Sequence, residues 1–415
     1  MLNKFQGEQH LFFGGKQIQI MIVLKNIAFY KKSSFIILFL FIFLSIETLL
    51  FGTNGNMNVL LVGYVGYFLL AIYLIFKHDW KIKNKSFILL FLILMSLIGF
   101  LFDVQQPLKY FYEIMIILMA YVYVNKYDLK EFKIQYVNLI YIISFISVVL
   151  FIASQFISLP FIEIINKNNI PIQSLIFATL SSRNAGLFRE PGVFMIFVNL
   201  ALIFEIFKNK VSFKKVVVFI LAVATTYSTA GYIVIAITLC CFILKNKLGL
   251  FEKILYTILV FIAFFFVYSS EYTKDVVFGK IENLNNDSTL SRTSSVYYNI
   301  ELATSSIKSF LIGNGYSITE NSFVEASYKM TSVEGNNTNT FLKMLSLHGF
   351  IYFFIVFIGN IKFWLKQYGI FMGLLLLFLY ILMTSNEDFC LDVLIYILMF
   401  YGYFESKTNI KQVDR

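Results

Sequence analysis

Apolar runs alternate with short polar stretches along the whole chain, and each run is as long as a bilayer is thick. The runs lie near residues 33–51, 57–76, 86–102, 110–124, 134–157 and 191–207, then 215–228, 229–244, 254–268, 347–364, 369–384 and 389–404. An α-helix needs about 17–25 mostly apolar residues to cross hydrocarbon. A helix of a soluble core would instead carry an apolar stripe opposite a polar face. The pattern therefore predicts an all-α polytopic membrane protein with about twelve transmembrane helices. Residues 215–244 are short for two crossings and admit two other readings, one long kinked helix or a re-entrant hairpin.

Composition supports the membrane assignment: 59% of the 415 residues are hydrophobic and 14% charged, against about 25% charged in soluble domains. The net charge of +10 then becomes a signal of orientation, because cytoplasmic loops retain Lys and Arg. With the N-terminus inside, roughly 24 of the 34 cations fall in seven separate cytoplasmic stretches. Cations so dispersed argue against a nucleic-acid partner. The expected organisation is a cytoplasmic segment 1–32, a single membrane domain 33–404 with long outer loops 158–190 and 269–338, and a cytoplasmic tail 405–415. Ser33 to Phe51 is too long for a signal-peptide core and no small-x-small cleavage pattern follows, so it is expected to remain as an anchor. Residues 1–20 lack a spanning pattern, and Met21 precedes a basic apolar segment; this leader is read as a start-site choice without a role. Cys240, Cys241 and Cys390 lie in apolar segments, and His10, His78 and His348 are scattered. Neither set has metal-site spacing, and no metal or cofactor is expected.

The chemistry concentrates in the two long loops. Arg183, Arg189 and Arg292 are three of only four arginines in a lysine-rich chain, and all three fall there. A guanidinium presents a planar fork that grips phosphate oxygens bidentately, a geometry lysine cannot copy. The same arginines are alternatively loop pins, paired with Glu190, Glu163 or Asp287. In the stretch from Ser182 to Gly192, Pro191 suits a first helical turn and Glu190 sits at the positive helix end. Glu190 reads either as a helix-end group or as a general base toward a sugar hydroxyl. Beyond Ser291-Arg292-Thr293-Ser294, apolar residues at Val296, Ile300, Ala303, Ile307 and Phe310 predict a helix on the membrane surface. Arg292 would stand at its N-terminus, where free N–H groups favour an anion. Gly313-Asn314-Gly315 reads as a turn. Glu47, Glu113, Glu205 and Asp392 lie near predicted span ends and are expected as satisfied boundary groups reaching water, with Asp392 as the exception, since Glu387 and Asp388 precede it on the outer side.

Three features together resemble the O-antigen polymerase and O-antigen ligase family of bacterial envelope polysaccharide assembly. They are the Arg183–Gly192 stretch opening a span, Ser291-Arg292 leading through a surface helix to Gly313-Asn314-Gly315, and Asn339-Thr340-Phe341-Leu342 followed by Gly349. Two positions depart from the pattern. Thr338 stands where ligases carry a functional His, and Leu347 where many relatives have an acid; the first ranks polymerase above ligase. The resemblance implies a C-type glycosyltransferase of the bacterial inner membrane with its site on the outer face. The substrate would be a polyprenyl-diphosphate-linked oligosaccharide, with membrane lipids around the protein and a chain-length regulator and a flippase as further partners. Arg183, Arg189 and Arg292 would hold the diphosphate, Glu190 would orient or deprotonate the acceptor, and Asn339 and His348 would bind substrate. The alternatives are an O-antigen ligase and a transporter or flippase of lipid-linked sugars.

Overall fold

The computed structural model describes residues 33–52, 57–77, 86–160, 162–165, 171–175, 177, 183–245, 249, 251, 254, 257–258, 287–331 and 337–404. The expected terminal segments 1–32 and 405–415, most of the span at 254–268 and the start of the second long loop lie outside the described residues. The first half contains α1 (Ser33–Phe43), α2 (Leu49–Gly52), α3 (Met57–Lys77), α4 (Ser86–Phe102), α5 (Pro107–Lys126) and α6 (Leu129–Ser154). After strands β1 (Ile162–Ile165) and β2 (Pro171–Ser174) come α7 (Pro191–Ile206), α8 (Phe213–Thr225) and α9 (Thr229–Lys245). The remainder forms α10 (Asp287–Thr304), α11 (Ile307–Ile312), α12 (Gly315–Thr331), α13 (Thr340–Tyr368), α14 (Ile370–Thr384) and α15 (Val393–Phe404).

Among the described residues, α5, α6 and α13 are each long and apolar enough to cross a membrane, and α1, α3, α4, α7, α9, α14 and α15 supply shorter apolar helices. The protein is thus mostly helical and membrane-embedded, with one exception to the all-α expectation. Strands β1 and β2 pair antiparallel, from Ile162 opposite Ser174 to Ile165 opposite Pro171. Ile162, Ile164, Ile165 and Ile172 suit a strand, and Pro171 takes the strand-end position that needs no ladder donor.

The first expected span is also broken. Helix α1 stops at Phe43, because Thr48 Oγ1 donates to the carbonyls of Phe43 and Ser45 and Ser45 Oγ accepts from Glu47 N, giving the backbone an alternative to the helix. The freed main chain pairs with the approach to α7: Leu49 N donates to Leu187 O and Arg189 N to Glu47 O. Irregular backbone inside a membrane protein is tolerated where protein surrounds it in this way. Residues 213–245 form two helices, α8 and α9, separated by Thr226-Tyr227-Ser228, with Tyr227 left-handed at φ +48°.

Apolar helices in lipid gain little from the hydrophobic effect and associate by close packing and polar contacts. Both devices occur between α13 and α15. A Cβ on Gly402 would lie 1.9 Å from the Gly359 carbonyl oxygen, so the two backbones touch there. One turn or more away, the Tyr352 and Tyr396 hydroxyls lie 2.9 Å apart.

Helices α10, α11 and α12 form a cover. The predicted surface helix is divided by Ser305-Ser306, where Ser306 Oγ caps α11 by accepting from Ser309 N. Val296, Ile300, Ile307 and Phe310 are exposed, whereas Ser295 and Asn299 are buried against α13. The exposed face mixes these apolar residues with Glu301, Thr304 and Lys308, as suits a helix at a membrane surface. Asn299, Asn337 and Ser346 hold it in place: Ser346 Oγ donates to Asn299 Oδ1 at 2.7 Å, and Asn299 Nδ2 to Asn337 Oδ1 at 2.8 Å. Gly313-Asn314-Gly315 is a turn, as expected, with both glycines at positive φ. Gly313 packs on the Leu347 carbonyl and Gly349, itself at φ +76°, packs on the backbone of Leu311 and Ile312. Two glycines thus lock the cover against a kink in α13.

Candidate functional site

A charged cluster forms where the N-terminal ends of α5, α7, α13 and α15 meet the break after α1. Its centre is Arg189, whose Nε donates to Glu47 Oε2 at 3.0 Å and whose Nη2 donates to the Asp388 carbonyl at 2.7 Å. Its Nη1 is 3.7 Å from Glu190 Oε1. On the other side of Asp388, Lys343 Nζ lies 2.6 Å from the carboxylate and 3.7 Å from Glu320, which also pairs with Lys109.

The connection between α14 and α15 is therefore a keystone. Thr340 Oγ1 donates to Glu387 O and accepts from Phe389 N, fixing the backbone on both sides of Asp388. The Glu387 side chain then rests on Gly192, where an added Cβ would meet its carboxyl oxygen at 1.7 Å. Only glycine at the second position of α7 admits that approach. Glu387 and Glu190 lie within hydrogen-bonding reach, with the charges of Arg189 and Arg292 acting on them.

Electrostatics separate the acids by role. Burial, reinforced by Glu190, pushes the Glu387 carboxyl well above the usual carboxylate range, against the pull of Arg189 and Arg292. Burial also raises Asp388, but Lys343 and Arg189 outweigh it and bring that carboxyl down to about 2. Burial works against charge on Arg189, yet Glu47, Glu190, Asp388 and Glu387 hold its proton more tightly than in a free guanidinium. Burial and the neighbouring Glu190 thus favour the protonated form of Glu387. Glu190, with 45% of its side chain exposed, is the accessible member of the pair. Such a pair, beside arginine, can accept a proton from a hydroxyl while an anion is held nearby.

The expected site residues divide. Glu190 takes the N-cap position of α7, with Pro191 in the first turn as anticipated, and makes no side-chain cap hydrogen bond. Arg189 joins it. Arg183 is placed elsewhere, donating from Nε to Thr226 O at 2.9 Å and from Nη2 to Tyr227 O at 3.3 Å, where it closes the end of α8. Arg292 reaches the cluster through Glu387. Its expected helix position is corrected: α10 begins at Asp287, so Arg292 lies in the second turn and the free N–H groups of that helix end are not beside it. Asn339 is the N-cap of α13, its Oδ1 accepting from Leu342 N at 3.1 Å. His348 lies inside the bundle, its Nε2 3.1 Å from Glu113 Oε1 and its ring stacked on Tyr352.

The expectation that the span-end acids reach water is overturned for Glu47, Glu113 and Glu205, and Asp392, the expected exception, is buried as they are. Each has its own partner. Arg189 holds Glu47, Tyr352 and Tyr316 hold Glu113, Ser212 N and Lys208 hold Glu205, and Leu394 N holds Asp392. The cluster members that the sequence did not place at the site are Glu47, read only as a span-end acid, and Lys343, Glu387 and Asp388. Their signal was present: two adjacent acids in a connection between apolar runs, and a lysine one turn past a helix cap. Compared with known proteins, the chain matches no family model, no curated protein and no solved structure.

Proposed function

We propose that this protein is a glycosyltransferase that polymerises lipid-linked oligosaccharide repeat units at the outer face of the bacterial inner membrane. What carries the proposal is the Glu190–Glu387 carboxyl pair beside Arg189 and Arg292, set at the mouth of a helix in an apolar bundle. The lysine asymmetry of the loops supports an outward orientation of this end, with cytoplasmic termini and about twelve crossings.

In the reaction, the hydroxyl oxygen of the acceptor sugar bonds to the anomeric carbon of the donor glycan. The bond from that carbon to the polyprenyl diphosphate breaks, and its electron pair leaves with the diphosphate. The hydroxyl proton passes to Glu190. Arg292, whose charge acts on Glu387, takes the departing charge. Arg189, already bonded to Glu47 and Asp388, orients the carboxyl pair. Arg183 keeps the end of α8 in place, and Asn339 and Thr338 border the entrance to α13.

The experiment uses purified protein and the lipid-linked repeat unit of its own strain as the only substrate. Lengthened glycan with release of polyprenyl diphosphate is expected. Folded protein that makes no polymer but moves the lipid across a vesicle bilayer would replace this function with transport. Transfer of glycan only to a different acceptor would identify a ligase.

A further inference from the structure

A second concavity lies at the opposite end of α7 from the carboxyl pair. It has a volume of about 710 Å³ and is bounded by the start of α6, the α7–α8 connection, the start of α8 and the end of α13. That size is typical of ligand sites, which run from roughly 300 to 1,000 Å³.

Its chemistry is divided. Lys130, Lys133, Lys208, Lys210 and Lys215 line it, with Glu205 as the one acid among the lining residues. Leu129, Ile134, Val137, Phe204, Phe207 and Tyr368 supply an apolar wall. Glu205 is already engaged: its Oε1 accepts from Ser212 N at 2.6 Å and pairs with Lys208. It therefore fixes the α7–α8 connection and offsets part of one lysine charge, leaving the concavity strongly cationic. Lys133 is held over the Tyr368 ring, 5.0 Å from its centroid, and donates to Gln367. Lys130, Lys208 and Lys210 are exposed at the rim.

The apolar wall separates this place from an ordinary run of cytoplasmic lysines. Ile134 is exposed on α6, one of the three helices long and apolar enough to cross a membrane among the described residues, so the wall joins the outer face of a candidate span. A soluble anion would use the lysines and leave the wall wet. A molecule with a phosphate head and an apolar body would use both.

We infer that this concavity binds the headgroup of an anionic phospholipid, its phosphate among the lysine ammonium groups and its acyl chains along the α6 wall. The site rests on the membrane embedding alone and not on the polymerase proposal, so either can fail without the other.

The test is native mass spectrometry of the full-length protein from micelles holding equal amounts of phosphatidylglycerol and phosphatidylcholine. Preferential retention of phosphatidylglycerol is expected, reduced roughly tenfold in the Lys130→Gln/Lys210→Gln variant, whose side chains sit at the rim. Ile134→Gln, also at an exposed position, should weaken lipid retention too while leaving any binding of inorganic phosphate unchanged. Equal retention of the two lipids by the wild type, or unchanged preference in the double variant, would overturn the inference. So would displacement of phosphatidylglycerol by inorganic phosphate together with indifference to Ile134→Gln, which would mark a free-phosphate site.

Discussion

Arg189 Nε lies 3.0 Å from Glu47 Oε2, tying the break in the first apolar segment to the mouth of α7. Glu47 is almost wholly buried, and the same guanidinium holds the Asp388 carbonyl. Removing one member of a buried pair leaves the other charge uncompensated, at about 3–5 kcal/mol. Glu47→Ala should accordingly lower the thermal midpoint of the purified protein sharply. Arg189→Lys should also destabilise it, since an ammonium keeps the charge but loses the second hydrogen bond. Unchanged midpoints for both variants would show that the pair does not hold the two segments together.

Glu387 gives a pH dependence with a definite sign. Its folded-state carboxyl holds a proton above the ordinary range, because of burial and then Glu190. The stability it contributes is complete below the unfolded carboxyl range and is lost as pH rises through its raised value. Asp388 has the opposite sense, its contribution being lost only as pH falls toward about 2. Glu387→Gln stays neutral at every pH and still donates toward Glu190. The variant should lose less stability than the wild type when pH is raised from 6 to about 9, as read by thermal unfolding in the same detergent. A parallel decline in both proteins would refute the raised Glu387 carboxyl.

Helix positions were legible because a membrane imposes a length on every apolar run, and α3, α4, α7, α9 and α14 begin and end within a few residues of expectation. The break at Phe43 was not, since hydropathy averages over Ser45, Glu47 and Thr48 without asking where their hydrogen bonds go. The site was half legible. Arg189 and Glu190 stood out as rare residue types at a helix start, but Glu47 and Glu387 are brought to them only by tertiary packing across 142 and 197 positions of sequence. Arg292 was misplaced on its helix because the apolar periodicity begins after the helix does: Asp287 to Ser291 open it with a single apolar residue, Leu290, which is off the stripe.

The α13–α15 contact offers a test of packing free of charge. Gly402 allows the backbones to meet at Gly359, and any Cβ there must push them apart. Overpacking of this kind costs about 1–3 kcal/mol. Gly402→Ala should therefore reduce thermal stability, whereas Gly66→Ala, whose new Cβ meets only the movable Leu44 side chain at 3.1 Å, should have a much smaller effect. Equal effects would mean that the glycine contact does not organise the bundle.

The two outlying arginines should differ in what their loss does. Arg183 holds the carbonyls of Thr226 and Tyr227, so Arg183→Lys should act on folding, lowering abundance and thermal midpoint and reducing polymer only in proportion to the protein that remains. Arg292 lies in the second turn of α10 and acts on Glu387 through its charge. Lysine at that position keeps the charge but cannot grip two phosphate oxygens in one plane. Arg292→Lys should leave abundance and midpoint near wild type while slowing glycan lengthening by roughly a hundredfold, the scale of losing one preorganised donor to a developing anion. The readout is the rate of polymer formation per folded molecule, with Glu190→Gln run beside it as the variant lacking the proposed base. If Arg292→Lys polymerises at the wild-type rate, Arg292 does not hold the diphosphate. If Arg183→Lys is folded, abundant and inactive, the diphosphate site lies at the end of α8 instead, and the carboxyl pair at α7 is no longer its neighbour in function.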